Sequence, residues 1–172
     1  MKIILIIILN MLAVSCNQKH EVKVVSSVDL NRYTGTWYEI ARLPNSFEKD
    51  LICTTANYTL RPDGRITVLN KGRKTGEMSK ERSAKGVAWI PDKSAPTKLK
   101  VRFFWPFSGD YWILSLDKDY RFALIGEPGR KYLWILSREK RIDDVTYKSL
   151  LDTAVLNGYN VSQIIKVDQG CK

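Results

Sequence analysis

The sequence predicts an all-β fold, an eight-stranded antiparallel up-and-down β-barrel with one α-helix packed outside it near the C-terminus. Three observations carry this. From residue 36 to residue 138 short β-branched and aromatic runs alternate with turn chemistry, and no helical periodicity interrupts them. In Lys98-Leu99-Lys100-Val101-Arg102-Phe103 every second residue is basic, so one face is apolar and the other takes water. Eight strands with one apolar face bury it most completely by closing on themselves, which also removes the sheet edges.

Taken in chain order, the first element is an address. Lys2 is followed by Ile3 to Val14, apolar except for Asn10 and, at about 12 residues, too short to span a bilayer as a helix. The run ends in Leu12-Ala13-Val14-Ser15-Cys16. This resembles a bacterial lipoprotein lipobox, although Ala13 stands where Leu, Val or Ile is commoner. The resemblance implies a signal peptide over 1–15, lipidation of Cys16 and a tether over 16–28 before a domain at 29–172. Asn17 after the cysteine, rather than Asp, implies sorting to the outer membrane, with the domain facing the periplasm. An ordinary secretory signal with an incidental Cys16 is the alternative. Lipidation would consume Cys16 and leave Cys53 and Cys171 as an even pair in an oxidising compartment, where a disulfide is expected rather than two free thiols.

The candidate strands are 36–43, 53–60, 66–73, 82–90, 98–105, 110–117, 121–126 and 132–138. Between them lie Arg61-Pro62-Asp63-Gly64, Pro91-Asp92-Lys93-Ser94, Pro106-Phe107-Ser108-Gly109, Asp117-Lys118-Asp119 and Pro128-Gly129-Arg130, residues that supply turn dihedrals. After Arg138 the period changes. Asp143-Asp144 offers an N-cap and early negative charge, and Tyr147, Leu150, Leu151 and Ala154 fall on one helical stripe before Asn157-Gly158. The stripe is expected on the barrel's outer wall, with 161–167 as a closing strand. A membrane-surface helix is the competing reading, but Lys148 and Asp152 leave its polar face without basic enrichment.

Charge and composition narrow the function. The 172 residues carry 28 Lys and Arg against 18 Asp and Glu, a formal net charge of +10. That favours a polyanion, whether nucleic acid or an anionic membrane. The basic stripe Lys98, Lys100 and Arg102 alternates with apolar residues as a solvated barrel face does, so no nucleic-acid partner is expected. The single histidine, His20, and three dispersed cysteines assemble neither a metal cluster nor a Ser-His or Cys-His nucleophile. No metal or cofactor is expected.

Gly35-Thr36-Trp37-Tyr38-Glu39-Ile40-Ala41-Arg42, Gly109-Asp110-Tyr111 and Trp134-Ile135-Leu136-Ser137-Arg138 occur in that order. Together with eight strands and a trailing helix they resemble the three signatures of the lipocalin family over residues 28–169, most of all its bacterial outer-membrane lipoproteins. Gly35, Trp37, Asp110, Tyr111 and Arg138 are then structural, with Arg138 over the Trp37 indole as a plug at the closed end. Counting back from Arg138 by twos turns Leu136, Trp134 and Tyr132 inward. The resemblance likewise turns Ala56 and Tyr58, Ile66 and Val68, and Ala84, Gly86 and Ala88 inward, and the last trio is expected to leave space unfilled. Ligand contacts are expected from Trp134, Tyr132, Leu136, Phe103, Val101, Leu99, Tyr58 and Val68, with Asn70 to orient a polar group. A filled core of the same aromatics is the alternative. Ser108 stands where the bacterial relatives often carry an aromatic. Phe104-Trp105-Pro106-Phe107 reads as a lid, a membrane-touching rim, a homodimer contact or a packed corner.

The resemblance implies a lipid-anchored protein that binds, and stores or transports, fatty acids or lysophospholipids, with no catalytic residue. The alternative is an enzyme of the same fold acting on a lipid or isoprenoid; Glu39, on the parity of Trp37, is its one inward carboxylate.

Overall fold

Strand β1 (Gly35–Arg42) opens the barrel, and β2 (Leu51–Leu60), β3 (Ile66–Lys74), β4 (Glu77–Trp89), β5 (Lys98–Phe104), β6 (Phe107–Leu116), β7 (Phe122–Gly126) and β8 (Leu133–Ser137) follow as a meander. The structure, a computed structural model, describes residues 21–171. Every neighbouring pair is antiparallel, and β1 closes the barrel by pairing with both β8 and β2. The signal peptide, Cys16 and His20 lie outside the described residues. Residues 21–28, within the expected tether, lie along the barrel: Val22 is buried, and the Val25 amide donates to the Ile113 carbonyl at 3.0 Å.

Several boundaries differ from expectation for local reasons. Strand β4 starts at Glu77 rather than 82, because Thr75 and Gly76 alone make the turn. The polar residues from Glu77 to Ser83 are then held by backbone pairing with β3 rather than by an apolar stripe. Strand β6 begins at Phe107, not 110, since Phe104 and Phe107 pair across Trp105 and Pro106. A short helix α1 (Leu30–Tyr33), capped by the Asp29 carboxylate, precedes β1.

Helix α2 (Asp144–Leu156) has the expected start, with Asp143 Oδ1 accepting from the Thr146 amide at 2.8 Å. Leu150 and Ala154 are buried, and Tyr147 and Leu151 pack beside them against Leu114, Leu124, Leu133 and Ile135 on the outer wall. The expected closing strand over 161–167 is instead a 3-10 turn, Val161–Gln163, and a two-residue strand β9 (Ile165–Lys166). Strand β2 leaves β1 after the pair Tyr38 and Thr55, and β9 pairs with Ala41 and Arg42. Only that short length of β1 edge is open to it.

The tail seals the seam it enters. Gln169 Nε2 donates to the Glu39 and Thr54 carbonyls, each at 2.8 Å, bridging β1 and β2. Cys53 and Cys171 are disulfide-bonded across a sequence separation of 118, as expected.

Candidate functional site

The barrel has one plugged end and one open end. At the plug, Trp37 is fully buried and its indole N–H donates to the Tyr33 carbonyl at 2.9 Å. The Arg138 guanidinium lies 3.9 Å from the Trp37 ring centroid. It donates to the carbonyls of Thr36 at 2.9 Å, Arg32 at 2.8 Å and Thr34 at 2.9 Å. One cation thus ties β8 to β1 and to the segment that closes the floor, a charge-assisted arrangement stronger than the stacking alone. Gly35 has a φ of +93°, a backbone conformation that strains any side chain, and a Cβ there would also crowd Arg138 Nη1 at 3.3 Å. Above the floor, the Tyr111 hydroxyl meets those of Tyr33 and Tyr58 at 2.6 and 2.9 Å. Burial holds all three phenols above their ordinary range and keeps them neutral. Asp110 faces outward and pairs with Lys100 at 2.8 Å.

Higher in the barrel the inward residues change character. Ala56, Tyr58, Ile66, Val68, Ala88, Leu99 and Leu136 form a buried cluster, and Val101, Phe103, Tyr111 and Trp134 pack on it while remaining partly exposed. The predicted contacts therefore meet in one interior, with the packed part near the floor. Asn70 also faces inward, level with Ala56 and Ala84, and its Oδ1 is buried with no hydrogen-bond partner.

Two expectations need correction. Tyr132 precedes β8 and sits at the rim, 38% exposed, stacked 5.9 Å from Trp134. The space expected over Ala84, Gly86 and Ala88 is partly taken: a Cβ on Gly86 would lie 2.8 Å from the Phe103 ring. The absent side chain is what lets Phe103 lie against β4.

Strict alternation also missed a buried polar cluster. A register shift between Glu39 and Ala41 turns Arg42 into the barrel, where it is 4% exposed. Arg42 Nη1 donates to Glu39 Oε1 at 2.7 Å, and Nη2 donates to the Glu48 and Leu51 carbonyls at 2.7 and 2.9 Å. Glu48, from the β1–β2 loop, accepts from the Trp134 indole N–H at 3.0 Å and from Asn45 Nδ2 at 2.6 Å. Phe47 packs tilted beside them, its ring centroid 5.5 Å from Tyr132 and 6.4 Å from Trp134. Burial, with the Glu48 carboxylate behind it, pushes the Glu39 carboxyl up to about 8 against the pull of Arg42. The loop is thus latched over one side of the mouth by the indole that lines the interior. An apolar tube with a polar collar can hold a chain-like molecule and pair its head group; Glu39 is already paired with Arg42, and Glu48 with the Trp134 indole and Asn45.

Comparison with known proteins gives the same fold. Residues 28–169 match the family model of the lipocalin-like domain. The chain is 44% identical over 148 residues to the outer membrane lipoprotein Blc of Escherichia coli (strain K12), covering 86% of this chain and 83% of that protein. It is 37% identical over 171 residues to the outer membrane lipoprotein Blc of Vibrio cholerae, covering 98% and 99% of the two chains. Insecticyanin from the tobacco hornworm Manduca sexta superposes with a TM-score of 0.68 at 26% identity, covering 88% of each chain. The matched residues 28–169 span all eight barrel strands and α2, and the chain belongs to the lipocalin family.

Proposed function

We propose that the protein binds a single-chain lipid, a fatty acid or lysophospholipid, inside its barrel and stores or carries it at the outer membrane. In this reading residues 1–15 direct export, Cys16 carries the acyl anchor, and the domain faces the periplasm. The observation that carries the proposal is the gradient along the interior. Inward residues are buried near the floor, yet Val101, Phe103 and Trp134 keep accessible surface although they point inward, which supports an upper interior with room for a chain. The unpaired Asn70 Oδ1 would accept a hydrogen bond from a glycerol hydroxyl or a protonated carboxyl. Each methylene buried contributes about 0.8 kcal/mol in gross transfer, offset by chain ordering and lost translational freedom, which is compatible with micromolar binding.

The test is native mass spectrometry of the purified protein with extracted lipid, paired with tryptophan-fluorescence titration. Lipid should co-purify, and Trp134→Ala should weaken binding on the order of tenfold or more, since it removes a lining ring. If no lipid co-purifies and neither lipid class perturbs the fluorescence below its micellar range, the barrel is a filled structural one.

A further inference from the structure

The large aromatic side chains that this fold leaves in water share one end of the barrel. Phe47, Phe104, Trp105 and Phe107 are 60, 76, 81 and 78% exposed, with Tyr132 beside Phe47. They come from three separate connections, β1 to β2, β5 to β6 and β7 to β8. In an up-and-down barrel alternate connections share an end, and these three open at the mouth, opposite the Arg138 plug. Of the readings open for Phe104 to Phe107, the packed corner does not hold: the turn leaves its three rings exposed. A cluster of exposed aromatics at one end of a folded chain marks an interaction surface, and rings of this type suit the boundary between water and lipid.

The fourth connection at the same end is basic. Residues 71–85, across the β3–β4 hairpin, carry six Lys and Arg against two Glu. The three ion pairs within it, Lys71 with Glu81 and Lys74 and Arg82 with Glu77, draw on only those two carboxylates. Lys80 and Lys85 are exposed. Strand β4 pairs with β5 only through Val87, Ala88 and Trp89, so the hairpin rises past its neighbour at the mouth.

We infer that this mouth docks on an anionic lipid surface, the aromatic rim entering the head-group layer and the β3–β4 hairpin pairing with anionic head groups. Aromatics insert and lysines attract in one contact, which is how peripheral chains combine buried apolar area with surface charge. A second copy of the chain fits less well, because a two-fold contact through the mouth would bring two surplus-positive hairpins together. Docking in this orientation sets the Phe47, Tyr132 and Trp134 stack between bilayer and interior, so an acyl chain would pass along rings rather than through water.

The experiment is vesicle flotation of the chain from Asn17 onward, so that neither an acyl anchor nor the apolar run Ile3 to Val14 contributes. The vesicles are phosphatidylethanolamine with phosphatidylglycerol, or phosphatidylcholine alone. The protein should float with the anionic vesicles and much less with phosphatidylcholine. The combined substitution Phe104→Ser, Trp105→Ser and Phe107→Ser should cut the bound fraction on the order of tenfold with an unchanged melting temperature. The pair Lys80→Glu and Lys85→Glu should lose the preference for phosphatidylglycerol. Flotation of the aromatic variant equal to the parent, or no flotation of the parent, overturns the inference. So does sedimentation of the parent as a dimer that the aromatic variant converts to monomer without any vesicle binding by the parent, which assigns the rim to a second copy. Because flotation needs no bound ligand, it fails or succeeds independently of the lipid-binding test above.

Discussion

Arg42 shows what a single residue does when it enters a barrel. Its guanidinium donates to the Glu39 carboxyl at 2.7 Å and to two carbonyls, as burial of a charge requires. Glu39 carries the cost: burial and Glu48 raise it from its ordinary 4.5 to about 8. Between those values the native chain holds a proton that the unfolded chain has released, so stability falls as pH rises through that window and levels off above about 8. Thermal melting should therefore show a declining midpoint from about pH 5 to about pH 8, and Glu39→Gln should flatten the decline. An identical slope in the variant would place the titrating group elsewhere.

At the scale of elements, the interior is shaped by how strands approach one another. Gly86 on β4 lies under β5, where an added Cβ would stand 2.7 Å from the Arg102 carbonyl oxygen and 2.8 Å from the Phe103 ring. Gly109 on β6 belongs to the second signature, yet a Cβ there meets nothing within 4 Å. Gly86→Ala should cost about 1–3 kcal/mol, as overpacking does, and should displace Phe103 into the lipid path. Gly109→Ala should be near neutral or slightly stabilising. Urea denaturation of the two variants checks the contrast, and equal effects would mean that β5 yields freely. The same scale explains β9, which is short because only Ala41 and Arg42 leave an edge for it.

For the whole molecule, the tail and its disulfide matter more than their length suggests. Gln169 and the Cys53–Cys171 bond hold the seam where β1 and β2 have parted. Closing a loop of this size restricts the unfolded chain, worth about 5 kcal/mol on the chain-entropy account before any strain. Reduction, followed by alkylation of both thiols, should lower the urea midpoint accordingly. It should also loosen the tail first, read as faster hydrogen exchange at Val167 than at the Arg138 floor. A midpoint unmoved by reduction would mean that β9 and Gln169 suffice.

Much of the architecture is legible in the chain itself. Alternation in Lys98 to Phe103 assigns faces without help, the Tyr147 stripe announces α2, and Trp37 and Arg138 occupy the contact that their signatures imply, because each depends on local period or on one strong pairwise interaction. The mouth is different. Alternation counts Arg42 as outward, yet one register shift turns it inward, and whether a strand bulges depends on partners distant in sequence, here β8 and β9. Counting by twos places Tyr132 in the wall, but β8 starts one residue later, at Leu133. Small residues on β4 suggest space, and Phe103 from the next strand takes it at Gly86. Glu48 lies in a loop with no period at all, and its role follows from the Trp134 indole that it meets. Residue period therefore determined the barrel and its faces, and the signature resemblance implied the plug, while the polar collar and aromatic rim were decided by tertiary structure, since side chains far apart in sequence meet there only after the strands have chosen their registers.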